Sequence, residues 1–224
     1  MLIEIPNVLD AGKLSNIRDI LGKVEFIDGK HSAGKAASRV KNNEEMKKGT
    51  QQAEFLDHLV MSSLAENADF RSSALPYRVA QPVFARYTQG MHYGDHVDDP
   101  VMGSGPEKFR TDVSITVFLN NPDDYEGGEL IINTTYGEKA VKLAAGSAVL
   151  YPSASVHRVT EITRGERLAA IIWLQSMVRD AGQRELLYQL DQARNQLLVS
   201  NPNAQETKQV DRSYVNLLRM WSDI

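Results

Sequence analysis

Residues 82–100 read PVFARYTQGMHYGDHVDDP. A run of β-branched and aromatic residues leads into a glycine-punctuated turn, then into His96-Val97-Asp98. The same texture continues to Ser176. The runs VSITVFL (113–119), ELIINT (129–134), GSAVLYP (146–152) and RLAAIIWL (167–174) recur between Gly, Pro, Asn and Asp. Short strands at such regular spacing specify a sandwich or barrel rather than a parallel sheet of βαβ units. In an extended strand, side chains two apart share a face, so His96 and Asp98 are expected to point together into the barrel.

On either side the pattern turns helical. Leu2–Ile5 alternates like a short strand that Pro6 ends, and Asp10 offers an N-cap to a helix carrying Leu14, Ile17, Ile20 and Leu21 on one face. A second helix is expected from about Asn43 to Ala65, with Phe55, Leu56, Leu59 and Val60 as its apolar stripe. Lys41, Lys47 and Lys48, with Glu44 and Glu45 between them, read as a solvated helix face. After Met177 two further helices are expected. One carries Leu186, Leu187, Leu190, Ala193, Leu197 and Leu198 and stops at Asn201-Pro202. The other carries Val210, Tyr214, Leu217, Leu218 and Trp221. The fold class is therefore α+β, in three parts: a mainly helical part over 1–76, a β core over 77–178, and a helical extension over 179–224.

Composition narrows the chemistry. The 224 residues contain no cysteine, which excludes a disulfide scaffold, an iron–sulfur cluster and a thiolate metal site. A metal must then be held by imidazole and carboxylate. The formal net charge of -4 gives no reason to expect a nucleic-acid partner. No run is long enough to span a bilayer, and MLIEIPNVLDAGK lacks the basic and apolar regions of a signal peptide, so a cytoplasmic location is expected.

An H-x-D pair alone is a weak signal, because short patterns of common residues recur by chance. His157, in YPSASVHRV, supplies a third candidate ligand that a barrel can bring alongside. Two histidines and one carboxylate on one face of an octahedral metal leave three positions open, the usual arrangement in non-haem iron(II) oxygenases. Arg167 lies ten residues after His157. On a hairpin it would stand ~16 Å along the barrel, at about 3.3 Å per residue. A three-residue loop or a bulge near Gly165 would be needed to bring both to one face. A guanidinium there suits a carboxylate, since its fork pairs bidentately and keeps its charge. His92 shares the parity of His96, so it is expected either to face the pocket or to pack at its rim.

The ordered set Tyr87-x2-Gly90-x2-Tyr93-x2-His96-x-Asp98, then FLN (118–120), GGEL (127–130), GSAVLYPSASVHRV (146–159) and GERLAAIIWLQS (165–176) resembles the 2-oxoglutarate- and iron(II)-dependent prolyl/lysyl-hydroxylase-like superfamily. More closely, the chain resembles the PKHD-type hydroxylases. The resemblance implies a double-stranded β-helix (jelly roll) with Fe(II) on His96, Asp98 and His157. It implies 2-oxoglutarate held through its C5 carboxylate by Arg167, with Tyr87 hydrogen-bonding the cosubstrate. O2 as oxidant and ascorbate as reductant follow, with C–H hydroxylation of a small-molecule or peptide substrate. One departure stands out: Phe118 occupies a position where many prolyl hydroxylases carry tyrosine, so either Ser114 or Thr116 is expected to compensate or the cosubstrate pocket differs in detail. The readings that compete are a cupin-like metalloenzyme without 2-oxoglutarate and a non-catalytic iron or 2-oxoglutarate sensor. The terminal helices are expected to cap the barrel or to pair two copies of the chain.

Overall fold

In the computed structural model, which describes all 224 residues, the alternating runs pair into two main antiparallel sheets and two two-stranded ones. The N-terminal part supplies β1 (Ile3–Ile5), α1 (Ala11–Leu21), β2 (Phe26–Asp28), β3 (Lys41–Asn42), β4 (Glu44–Met46), α2 (Gln51–Glu66) and α3 (Ala68–Ala74). The middle supplies β5 (Pro76–Val79), β6 (Val83–Tyr87), β7 (His92–His96), β8 (Val101–Met102), β9 (Phe109–Arg110), β10 (Val113–Phe118) and β11 (Tyr125–Gly127). It continues with β12 (Leu130–Thr134), β13 (Gly137–Val141), β14 (Ala148–Pro152), β15 (His157–Val159), β16 (Ile162–Gly165) and β17 (Arg167–Ser176). Helices α4 (Ala181–Ser200) and α5 (Gln205–Trp221) end the chain.

The larger sheet runs β1-β14-β10-β17-β6-β4-β2, with β5 also on β17; the smaller runs β13-β12-β15-β7-β3. Period-two alternation divides the larger sheet cleanly. Val113, Ile115 and Val117 face outward with Leu150, Ile172 and Leu174, and pack under α1, α2 and α3. The opposite face carries Tyr87, Phe118, Val149 and Tyr151, which pack against Leu130, Ile132 and Val159 of the smaller sheet. The candidate site lies between these inner faces.

The strand expected at the N-terminus and the helix capped by Asp10 are both present, with Lys13 N donating to Asp10 Oδ1 at 2.8 Å. The second helix is present and ends at Glu66, but it does not begin near residue 43. It starts at Gln51, where Thr50 Oγ1 accepts from Ala53 N at 3.1 Å, after Gly49 adopts φ +76°. Residues 41–46 are instead two short strands, because β3 pairs with β7 and β4 with β6. The charges there do not form a solvated face: Lys41 and Glu45 are buried. In α2 the buried stripe is Ala53, Leu56, Val60 and Leu64, whereas Phe55 is 49% exposed.

In α4 the apolar residues outnumber the available contacts. Leu187 is buried with Val178 and Tyr214, with Leu190 packed against them, while Leu186, Ala193 and Leu198 face outward. No helix is long and apolar enough to cross a membrane. Replacing Thr50 with Ala is expected to cost about 1 kcal/mol through loss of the N-cap, measurable as a lower midpoint in denaturant unfolding. A helix beginning near residue 43 would be insensitive to that change.

Candidate metal and cosubstrate site

His96 ends β7, His157 begins β15, and the two are cross-strand partners. Their rings lie 4.2 Å apart, centroid to centroid. Asp98 follows just beyond β7, and its Oδ1 stands 4.0 Å from His96 Nε2 and 3.8 Å from His157 Nε2. Those separations are too long for direct hydrogen bonds and leave room for an ion among the three groups. One ligand atom from each residue lies within 4.8 Å of the others.

Each ligand is oriented by a neighbour. His96 Nδ1 meets Gly94 O at 2.8 Å and His157 Nδ1 meets Ser155 O at 3.0 Å. A carbonyl only accepts, so Nδ1 carries the proton in both rings and Nε2 presents its lone pair. Ser114 Oγ donates to Asp98 Oδ2 at 2.5 Å, leaving Oδ1 turned toward the histidines. Its single proton being used there, Ser114 accepts from Ser153 Oγ at 2.8 Å. Tyr93 stacks on His96 at 3.6 Å, and Tyr151 meets His157 edge-on at 5.0 Å. Burial, helped by neighbouring His157, pushes the His96 imidazole down to about 4, which keeps it neutral and able to ligate.

The register explains why His92, expected either to face the pocket or to pack at its rim, is not among the residues lining it. Between the pairs His157↔His96 and Val159↔Tyr93, β15 advances two residues and β7 three. The extra residue is a bulge. It turns Tyr93 rather than His92 toward His96, and His92 Nδ1 instead lies 3.4 Å from Gly90 O.

Arg167 does not sit on a hairpin with His157. After β15 the chain passes through β16, which pairs with β11, and enters the larger sheet as β17 between β10 and β6. The two residues therefore belong to different sheets and both line the cavity between them, so no loop of special length is needed. Gly165, with φ +78°, has another role: a Cβ there would meet Asp124 O at 2.3 Å.

Arg167 is 1% exposed, and its Nε and Nη1 have no partner within the chain. Its Cζ lies 5.1 Å from the Tyr87 ring centroid and 5.6 Å from that of Phe118. Such a buried cation with free N–H groups calls for an anion. Gly128 makes space for the side chain: at φ +68°, an added Cβ would meet Arg167 Cδ at 3.1 Å and Tyr125 Cε2 at 2.9 Å. The GGEL glycines are thus a packing requirement of the arginine pocket as well as a turn. Burial pushes the Tyr87 phenol up to about 12 against the opposing effect of Arg167, so it remains a donor at neutral pH.

As for the hydroxyl missing at Phe118, Ser114 is committed to Asp98, while Thr116 faces the cavity. Tyr125 offers another, since its buried OH has no partner. The cavity, about 390 Å³, is also lined by Lys41, Asn43, Glu45 and Trp173, which sequence reasoning did not place there. The two-residue spacing of 41, 43 and 45 is a strand signal that the density of charge obscured.

A family model described as the 2OG-Fe(II) oxygenase superfamily matches residues 82–175, and one described as the PKHD-type hydroxylase C-terminal domain matches residues 181–223. A PKHD-type hydroxylase of Thioalkalivibrio sulfidiphilus is 48% identical over 224 residues, covering all of both chains. The chain belongs to the PKHD-type hydroxylases. A second member of the family, from Shewanella sp. (strain MR-4), is 46% identical over the same full length.

Among solved structures, a Pseudomonas putida prolyl-4-hydroxylase is similar with a TM-score of 0.53 at 19% identity, over 78% of this chain and 92% of that one. A Trichoplax adhaerens prolyl hydroxylase is similar with a TM-score of 0.56 at 17% identity, over 83% and 86%. These likenesses show the fold, a jelly roll. Family membership makes the protein an iron(II)- and 2-oxoglutarate-dependent dioxygenase of hydroxylase type, and decides against a cupin-like metalloenzyme without 2-oxoglutarate.

Two outcomes follow from the site geometry. Ser114→Ala is expected to weaken iron(II) or cobalt(II) binding roughly 10- to 100-fold, the usual cost of removing a group that orients a ligand, as read by direct metal titration. The second concerns pH. The folded pKa of His96, about 4, lies below its ordinary value of 6.5, so the unfolded chain gains a proton between those values that the folded chain does not. Unfolding titrations should show the metal-free protein losing stability as pH falls through that window and levelling off below it.

Proposed function

We propose that His96, Asp98 and His157 hold iron(II) and that Arg167 holds the C5 carboxylate of 2-oxoglutarate, with Tyr87 and Tyr125 donating hydroxyls to the cosubstrate. The observation carrying this reading is the pairing of two incomplete sites in one cavity. Three ligand atoms converge without bonding one another, and a buried guanidinium has unpartnered N–H groups. The donor set fits iron(II): two neutral imidazoles and one carboxylate. When bound, iron(II) with 2-oxoglutarate supplies the oxidising chemistry that couples loss of carbon dioxide to hydroxylation of a substrate C–H bond.

The chain's own residues bind and orient. The carbonyls of Gly94 and Ser155 fix which imidazole nitrogen is free, and Ser114 fixes the Asp98 carboxylate. Arg167 neutralises one end of a dianion in a place that excludes water. No side chain is assigned as a general base. The substrate is a small molecule or a peptide.

We infer further that ascorbate serves as reductant and that the cytoplasm is the place of action, since 2-oxoglutarate is an intracellular metabolite. A homodimer through the C-terminal helices is supported by the outward-facing Leu186, Leu198 and Val199.

Calorimetry on the nickel(II)- or manganese(II)-loaded protein tests the cosubstrate assignment. Arg167→Ala should bind 2-oxoglutarate at least ~30-fold more weakly, the lower range for losing one partner of a buried charge pair, with metal affinity unchanged. An unchanged affinity for 2-oxoglutarate would place its far carboxylate elsewhere.

A further inference from the structure

Lys41, Asn43 and Glu45 all line the cavity, on the short segment that leaves the edge of the smaller sheet as β3 and joins the larger as β4, between β6 and the edge strand β2. That segment closes the seam between the sheets beside β6 and β7. Lys41 is 6% exposed and Glu45 7%. Lys41 Nζ donates to Glu45 Oε1 at 2.5 Å and to Ser32 Oγ at 2.9 Å, while Ser32 Oγ donates to the same Oε1 at 2.8 Å. Two valences are left over: the third N–H of Lys41, and Glu45 Oε2, which accepts no hydrogen bond.

Stability alone gives little reason for this pair. Moving two charges out of water costs several kcal/mol each, and apolar residues of similar size are often as stabilising. The neighbouring wall is in fact apolar, with Val83, Ala85 and Ile171. The pair also stands close to the proposed metal centre. Lys41 Nζ lies 5.2 Å from the centroid of the Tyr93 ring, which itself stacks on His96.

Resting on the oxygenase reading, we propose that Lys41 and Glu45 form the substrate-recognition site, and that the substrate is a small molecule with a zwitterionic α-amino-acid head. Its carboxylate accepts from the open N–H of Lys41, and its ammonium donates to Glu45 Oε2. A lone anion or a lone cation would meet the like charge of one member at contact distance. A zwitterion meets both with charge-assisted bonds and leaves the charge balance unchanged. Depth favours a small molecule over a polypeptide, whose main chain would have to enter the barrel to reach a pair this buried. In the reaction one C–H of the amino acid becomes C–OH. One oxygen atom of O2 enters that bond, the other enters succinate, and 2-oxoglutarate loses carbon dioxide.

The test supplies the common free amino acids, each beside its N-acetyl methylamide, to the protein with iron(II), 2-oxoglutarate and O2. Succinate and the mass of the recovered amino acid are measured. At least one free amino acid is expected to raise succinate formation above the substrate-free background and to gain one oxygen atom, with its capped form inert. The double variant Lys41→Met/Glu45→Gln removes both charges and leaves neither unpaired. The exchange Lys41→Glu/Glu45→Lys keeps an ion pair but reverses it. Both should fold with little change in Tm and show the same anaerobic charge-transfer band with iron(II) and 2-oxoglutarate. Both should bind the amino acid at least ~30-fold more weakly.

The proposal is overturned if no free amino acid acts, if only capped or peptide forms act, or if either variant retains the affinity. It is also overturned if the double variant is strongly destabilised, since the pair would then be structural. Absence of the charge-transfer band in the unaltered protein would instead overturn the oxygenase reading on which it rests.

Discussion

The pairing of β15 with β7 is the constraint on which the site depends. It makes His157 and His96 direct cross-strand neighbours, and the one-residue bulge in β7 sets Tyr93 flat against His96. Because sheet register is quantised, an imidazole cannot drift along the strand without flipping every neighbour to the other face. The distance between the two rings is therefore a property of the whole smaller sheet. Local contacts refine it: two backbone carbonyls select the tautomers, and a buried serine pair holds the carboxylate.

The opposite wall imposes the second condition. Arg167 is held in the larger sheet, between β10 and β6, with aromatic rings around it and no anion of the chain bonded to the two free N–H groups. An uncompensated buried guanidinium is expensive, and the proposed cosubstrate carboxylate is the group that would complete it. The two glycines that begin GGEL belong to the same arrangement. Gly127 would drive a Cβ to 1.9 Å from Glu161 O, and Gly128 would drive one against the arginine stem. The packing of this turn and the placement of Arg167 are thus coupled at one spot.

Much of this was legible in the sequence because it is periodic or chemically rare. The alternating runs from 82 to 176 gave the sheets, Asp10 gave a helix start, and the H-x-D with a distant histidine and arginine gave the cluster. Residues 41–46 were misread, since two- and three-residue strands rich in Lys and Glu carry no apolar alternation and take their conformation from pairing with β7 and β6. Parity placed His96 with Asp98 but left His92 open for a related reason. A bulge is a tertiary event, and no local pattern marks the extra residue. Tyr125 was overlooked, and the contacts of Ser114 with Asp98 and of Tyr93 with His96 were not foreseen, because hydroxyl-bearing residues are common in strands and only the three-dimensional neighbourhood distinguishes them.

The central claim is that one cavity binds iron(II) and 2-oxoglutarate together, through the triad and Arg167. Anaerobic titration of the metal-free protein with both, followed by visible absorption, tests it most directly. A weak charge-transfer band should form only when both are present and should require more 2-oxoglutarate in Arg167→Ala. Tight iron(II) binding with no band at any 2-oxoglutarate concentration would contradict it.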